Sequence, residues 1–380
     1  MICVRHKIFL FFIVTGLVSC SHKKTLFESL PSSQTGIDFI NKVEENDKYN
    51  VLDYMNIYTG AGVAAGDVNN DGLVDLYFSG NQNSGRLYIN KGNLPAGHAG
   101  IKFEDVTEKA GLITDRWCTG VSMVDINQDG WLDIYVNVAG SPKFGNTANL
   151  LYINNGFSPS PNGEGRGEVT FTEEAAKYGI ADTRLTMNAS FFDYDKDGDL
   201  DLFLITNPAG ERVNDVNTIT EIQQHGESPG TDILYRNDGP VVSLPSGGRK
   251  GGFTDVSKEA GILKEGYSLG AAISDVNNDG WPDIYVSNDF LTSDILYINN
   301  GHSPSPNKLK NPISFSEGEG ARRADEAEGR GEVTFSDKTR ECLKHPVLLQ
   351  WAMMWLILIT TGCLIFIHWI CCLKIISERK

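Results

Sequence analysis

The sequence predicts an all-β protein: a β-propeller built of four-stranded blades, four of them recognisable, in a truncated ring. Three observations predict it. An acidic nine-residue stretch occurs four times, each copy runs into a strand-like apolar segment, and the unit between copies holds four such segments separated by Gly/Asn/Pro turns. The first copy is Asp67-Val68-Asn69-Asn70-Asp71-Gly72-Leu73-Val74-Asp75, and the others begin at Asp125, Asp193 and Asp275.

Each copy sets side-chain oxygens at positions 1, 3, 5 and 9. They are Asp67, Asn69, Asp71 and Asp75; Asp125, Asn127, Asp129 and Asp133; Asp193, Asp195, Asp197 and Asp201; and Asp275, Asn277, Asp279 and Asp283. So many carboxylates in so short a stretch repel one another unless a cation sits among them. Hard oxygen donors at this spacing suit Ca²⁺, which takes about 6–8 oxygens. The glycine at position 6 permits the tight turn. The backbone carbonyl at position 7 (Leu73, Trp131, Asp199, Trp281) is the natural further ligand. The loop is not an EF-hand, because position 12 is Phe78, Val136, Leu204 or Val286 rather than Glu, and it lies in a strand-like run. Plain Asn/Asp-Gly turns would require neither the third nor the ninth oxygen.

The first unit shows the four segments in order: Val63-Ala64-Ala65-Gly66, Leu76-Tyr77-Phe78, Leu87-Tyr88-Ile89-Asn90 and Phe103-Glu104-Asp105-Val106-Thr107. The Leu-Tyr pair returns at Leu151-Tyr152, Leu234-Tyr235 and Leu296-Tyr297, and the Phe at Phe171, Phe253 and Phe335. These positions read as blade core. A glycine follows the Phe by eight residues at Gly111, Gly179 and Gly261. The units exceed a minimal blade of ~40–45 residues, so the surplus falls in connections.

The chain divides accordingly. Residues 1–20 read as a lipoprotein signal peptide ending Leu17-Val18-Ser19-Cys20, with Cys20 the lipidation site; an ordinary cleaved signal is the rival reading. Residues 21–57 form a tether and lead-in, with Ser21 to Gln34 polar enough to be the tether. The repeats occupy 58–345, with blades at about 58–112, 113–180, 181–262 and 263–345. Inserted loops at 157–168 and 302–332 share Ser-Pro-Ser-Pro-Asn and Glu-Gly-Arg-Gly-Glu-Val-Thr-Phe, a composition that supports no core. The apolar tail at 346–380 has two readings. One is a transmembrane helix over Trp351 to Leu373; the other is a fifth acidic repeat read out of frame, which the codons of Trp351-Ala352-Met353-Met354-Trp355 permit.

A net charge of −16, with no basic stripe, argues against a nucleic-acid partner. Of seven cysteines, only Cys118 and Cys342 lie in the repeat region, so no disulfide framework or zinc spacing exists. The two read as thiols or as one bridge. The seven histidines fall in no motif, and neither Gly-x-Ser-x-Gly nor His-Glu-x-x-His occurs. His225, in the long connection of the third unit, reads as a solvated loop residue rather than a catalytic one.

These loops and strands resemble the FG-GAP/VCBS repeat family, whose relatives include the integrin-α β-propellers. The signal and the segment Leu30-Pro31-Ser32-Ser33-Gln34-Thr35-Gly36-Ile37-Asp38-Phe39 are similar to bacterial ASPIC/UnbV-associated, cartilage-acidic-protein-like envelope lipoproteins. The resemblance implies a calcium-stabilised propeller for adhesion or recognition, with about seven blades in relatives and no catalytic residues to carry over. The expectation is therefore a non-enzymatic module, anchored to a bacterial envelope membrane through lipid at Cys20 (outer membrane or cell surface), that binds a protein or glycan. The competing expectations are a polysaccharide-acting enzyme and an envelope scaffold subunit.

Overall fold

The computed structural model describes residues 29–93, 101–139, 142–157, 168–207, 226, 228–243, 249–289, 292–302 and 332–339. The signal and Cys20, His225, Cys342, the interior of both inserted loops and the tail at 346–380 lie outside the described residues.

Four antiparallel four-stranded sheets follow one another along the chain. The first comprises β1 (Val63–Gly66), β2 (Asp75–Phe78), β3 (Arg86–Asn93) and β4 (Ile101–Asp105). The second holds β5 (Cys118–Val124), β6 (Asp133–Val138), β7 (Leu150–Phe157) and β8 (Val169–Glu173). The third contains β9 (Thr186–Phe192), β10 (Asp201–Thr206) and β11 (Ile233–Asn237); after a small ribbon of β12 (Val242–Ser243) and β13 (Arg249–Lys250), it is completed by β14 (Phe253–Asp255). The fourth is β15 (Ser268–Ser274), β16 (Asp283–Asn288), β17 (Ile295–His302) and β18 (Val333–Asp337). Within each four-stranded sheet the strands pair in chain order, as in the blades of a propeller.

The blades stack face to face through apolar layers. Tyr77 and Leu87 of the first blade meet Ile134 and Tyr152 of the second. Tyr135 and Leu151 then meet Leu202 and Tyr235, and Phe203 and Leu234 meet Ile284 and Tyr297. Strands β6 and β10 are buried at every residue because they are covered on both faces, which explains their unbroken apolar runs. The Leu-Tyr and Phe positions are core: Leu151, Tyr152, Leu234, Phe171, Phe253 and Phe335 are all buried.

The first strands of successive blades lie side by side. Thr119 Oγ1 donates to the Thr186 carbonyl at 2.8 Å, and Ser122 Oγ donates to the Ala189 carbonyl at 3.0 Å. The approach is close enough to require glycine, since a Cβ on Gly120 would stand 2.5 Å from the Met187 carbonyl oxygen. Cys118 begins this second inner strand as a buried thiol, which burial pushes up to about 12.

A one-turn helix leaves the fourth strand of each of the first three blades: α2 (Thr107–Ala110), α3 (Ala175–Tyr178) and α4 (Ser257–Ala260). Gly111, Gly179 and Gly261 end them at φ 80, 82 and 84°, the left-handed cap that favours glycine. Gly111 and Gly261 lie against the next blade, where a Cβ would fall 3.2 Å from Phe171 O and 2.8 Å from Phe335 O. The lead-in segment copies this device. The sequence assigns Ser21–Gln34 to a polar tether, but Ser32–Thr35 forms helix α1, capped by Gly36 at φ 79°. A Cβ there would lie 2.5 Å from Phe103 O of the first blade. Tyr88 donates its hydroxyl to Asp38 at 2.9 Å, just as Tyr235 donates to Asp182 at 2.7 Å where the second blade meets the third. Phe39 also stacks on Phe78, so the lead-in supplies the first blade with the cover that a preceding blade would give. Farther along, Tyr54 and Ile57 pack with Trp117 and Phe144.

Asn149 and Asp232 occupy the same position before the third strand of blades two and three. Asn149 accepts from Val138 N and Thr186 Oγ1, and donates to Tyr135 Oη. Asp232 accepts from Thr206 N at 2.9 Å and Ser268 Oγ at 3.1 Å, and burial raises its carboxyl to about 7. Its folded value therefore exceeds that of the unfolded chain, near 3.9. Stability falls as pH rises from about 4 through 7, where the unfolded chain ionises first. Asp232→Asn removes the ionising group, although Phe203 stands where Tyr135 takes the amide of Asn149 in blade two, and it is expected to gain on the parent by a few kcal/mol between pH 4 and pH 8. Thermal melts across that range check this; parallel curves at all pH values contradict it.

Candidate metal centres

The four acidic loops join the first strand of each blade to the second, and they share one geometry. The position-1 carboxylate folds the loop over itself. Asp67 accepts from Asp71 N at 3.1 Å and Gly72 N at 2.7 Å, and Asp125, Asp193 and Asp275 accept from the matching amides. Position 3 accepts from the amide of position 5, and position 5 from the amide of position 7, as in Asn69···Asp71 N at 3.0 Å and Asp71···Leu73 N at 2.9 Å. This curl brings alternate side chains to one side. In the third loop, one oxygen each from Asp193, Asp195 and Asp197 lies within 4.8 Å of the others, a group that could hold a metal ion.

The position-9 aspartate is fully buried in every copy. Both of its oxygens accept backbone amides, one from position 2 of the loop and one from the third strand. The pairs are Val68 N and Asn90 N on Asp75, Ile126 N and Asn154 N on Asp133, Tyr194 N and Asn237 N on Asp201, and Val276 N and Asn299 N on Asp283, all between 2.7 and 3.1 Å. The sequence assigns this residue the closing of the cage. The structure adds a second task, fastening the loop to the sheet. Each oxygen keeps a lone pair beyond the amide it accepts.

Burial lifts these carboxyls to about 6 at Asp75, about 7 at Asp133 and about 9 at Asp201, and raises Asp283 as well. The third loop is the most acidic, with aspartate at positions 1, 3, 5, 7 and 9. Burial, followed by repulsion from Asp197, raises Asp195 to about 6 and Asp199 to about 7. Asp199 Oδ1 is buried without a hydrogen-bond partner. An orphaned buried oxygen beside a carboxylate triad is an environment that a cation would satisfy, so the donor set fits the expected ion.

The indoles at position 7 of the second and fourth loops are structural. A Cβ on Gly156 would meet the Trp131 ring at 3.3 Å, and one on Gly301 the Trp281 ring at 2.9 Å, so both indoles lie flat on strand glycines.

Two sets of residues escape a motif that treats them as filler. The first is the Asn of Leu-Tyr-x-Asn. Asn154 Nδ2 donates to Leu132 O within its blade at 3.0 Å and to Val68 O of the preceding loop at 2.9 Å, and Asn299 does the same to Pro282 O and Tyr194 O. Its recurrence was the available signal. The second is position 4, where Asn70, Gln128, Lys196 and Asn278 adopt φ of 51, 58, 60 and 60°. Asn70 Nδ2 reaches Gly130 O of the next loop at 2.9 Å, and Gln128 Nε2 reaches Gly198 O at 3.2 Å. The loops therefore stand in a row, each touching the next.

Residues 67–136, which hold the first two loops, match a family model described as an FG-GAP-like repeat. No curated protein matches the chain. Among solved structures, a lectin of Agrocybe aegerita, described for specific recognition of non-reducing terminal N-acetylglucosamine, aligns at 16% identity and a TM-score of 0.31. The alignment covers 66% of this chain and 53% of the lectin chain, so the chain spans about half the length of that structure.

The two tasks of the loop carboxylates separate on mutation. Asp133→Ala strands two amides, Ile126 N and Asn154 N, and is expected to cost about 2–4 kcal/mol even in chelator. Asp129→Ala touches an exposed carboxylate and is expected to cost less than about 1 kcal/mol in chelator, with its larger effect appearing only in calcium. Denaturant titrations with and without chelator check this; equal losses for both variants in chelator contradict it.

Proposed function

We propose that this chain of FG-GAP-like repeats is a calcium-stabilised recognition module, held at a bacterial cell envelope through lipid on Cys20, whose blades present a surface to a protein or glycan ligand. The observation that carries the calcium reading is the convergence of Asp193, Asp195 and Asp197 in a loop whose pattern recurs three more times. An ion in each loop would fix the turn between two strands and stabilise its blade by mass action. Sites in extracellular modules of this kind have dissociation constants of ~10⁻⁴–10⁻³ M, a range met outside the cytoplasm.

Recognition is favoured over turnover by the commitment of the carboxylates. Each position-9 pair of oxygens already accepts two amides, and the position-1 oxygens close their own turns, so these groups are engaged in holding the loops. Such engagement leaves little room for general acid–base work. The anchor reading rests on Leu17-Val18-Ser19-Cys20.

Millimolar calcium is expected to raise the melting temperature by several degrees and chelator to reverse the gain, with magnesium much less effective. Scanning calorimetry checks this; a melting curve indifferent to calcium overturns the proposal. A protein and glycan array with the chain in calcium and in chelator then tests recognition.

A further inference from the structure

We propose that the fourth residue of each of the first three acidic loops is a positioning residue that couples metal occupancy of its own loop to that of the next loop along the row. The inference rests on the calcium reading above and adds to it a mechanism that links one loop to the next.

Among the described residues, the only non-glycine residues with positive φ are Asn70, Gln128, Lys196 and Asn278, one in each loop at the same position. Such residues carry a backbone cost of about 1 kcal/mol or more and persist where the surroundings over-determine them. Here the curl of the loop imposes the conformation, and the conformation aims the side chain at the neighbouring blade. Three junctions show the result. Asn70 donates to Gly130 O, and Gln128 donates to Gly198 O. Lys196 lays its ammonium 4.4 Å from the centroid of the Trp281 ring, beside Gly280. An amide, a longer amide and an ammonium thus reach the same place, positions 6 and 7 of the next loop.

The place matters because the carbonyl of position 7 is the expected backbone ligand. In the second loop, Gly130 is held on its amide side by Asp125, at 2.8 Å, and on its carbonyl side by Asn70. Together these contacts fix the peptide that leads into Trp131. An ion in the first loop would lock the curl that presents Asn70, so the second loop would lose less freedom when its own ion binds. Coupling of this kind is reciprocal. The fourth loop supplies an internal control. Asn278 has the same left-handed backbone but no side-chain partner among the described residues, and Val276 beside it is 42% exposed whereas Val68, Ile126 and Tyr194 are buried.

The test is calcium titration calorimetry on the full chain in detergent. Asn70→Gly keeps the backbone conformation and deletes the amide, Gln128→Gly does the same one junction along, and Asn278→Gly is the matched control. Asn70→Gly and Gln128→Gly are each expected to weaken one site about threefold, the scale of one neutral hydrogen bond, and to lower the steepness of the binding curve. Asn278→Gly should leave the curve unchanged. In an Asp129→Ala background, which disables the second loop, the effect of Asn70→Gly should disappear. If calcium binds and Asn70→Gly behaves like Asn278→Gly, the coupling is overturned while the calcium reading stands. If the parent chain takes up no calcium, that reading falls and the coupling falls with it.

Discussion

Four buried carboxylates, Asp75, Asp133, Asp201 and Asp283, join the acidic loops to the sheets beneath them. Each accepts one amide from the loop it terminates and one from the third strand of its blade, so a single side chain fixes both the turn and the register of the strands around it. A buried carboxylate satisfied by backbone amides is stabilising only while its partners stay in place. Loop and sheet are therefore mutually dependent, and an ion bound by the outer oxygens of the loop would act on the blade through this one residue.

The same logic extends from blade to blade. Apolar faces meet in three layers, and the polar contacts that cross between blades lie at the inner strands, at the one-turn helices and along the row of loops. The glycine cap recurs along the chain, and the lead-in carries it too. Thr35-Gly36-Ile37-Asp38 carries the same cap and tyrosine contact that join the second blade to the third. Repeat proteins gain stability from such nearest-neighbour interfaces, so the end faces are where the pattern must be broken or covered.

Much of this was legible in the residues. Period-two and continuous apolar runs placed the strands, and the fixed acidic spacing placed the loops, because both obey local geometry that a single unit already expresses. The glycine eight residues past three of the Phe positions was visible as a recurrence, and its reason, a left-handed helix cap that at Gly111 and Gly261 presses on the next blade, needed the neighbouring blade to be seen. The helical turn at Ser32–Thr35 was hidden because a polar segment reads as a tether until something is found for it to cap. Position 4 was hidden for a related reason. Asn, Gln, Lys and Asn share no chemistry as a set, and only the left-handed backbone and the contact across the junction unite them.

We propose that the repeated oxygens hold calcium and that the ions rigidify the blades. Equilibrium dialysis of the folded chain against labelled calcium, at concentrations up to several millimolar, tests it most directly. Saturable uptake approaching one ion per acidic loop is expected. Well-folded material that retains no calcium over that range would contradict it.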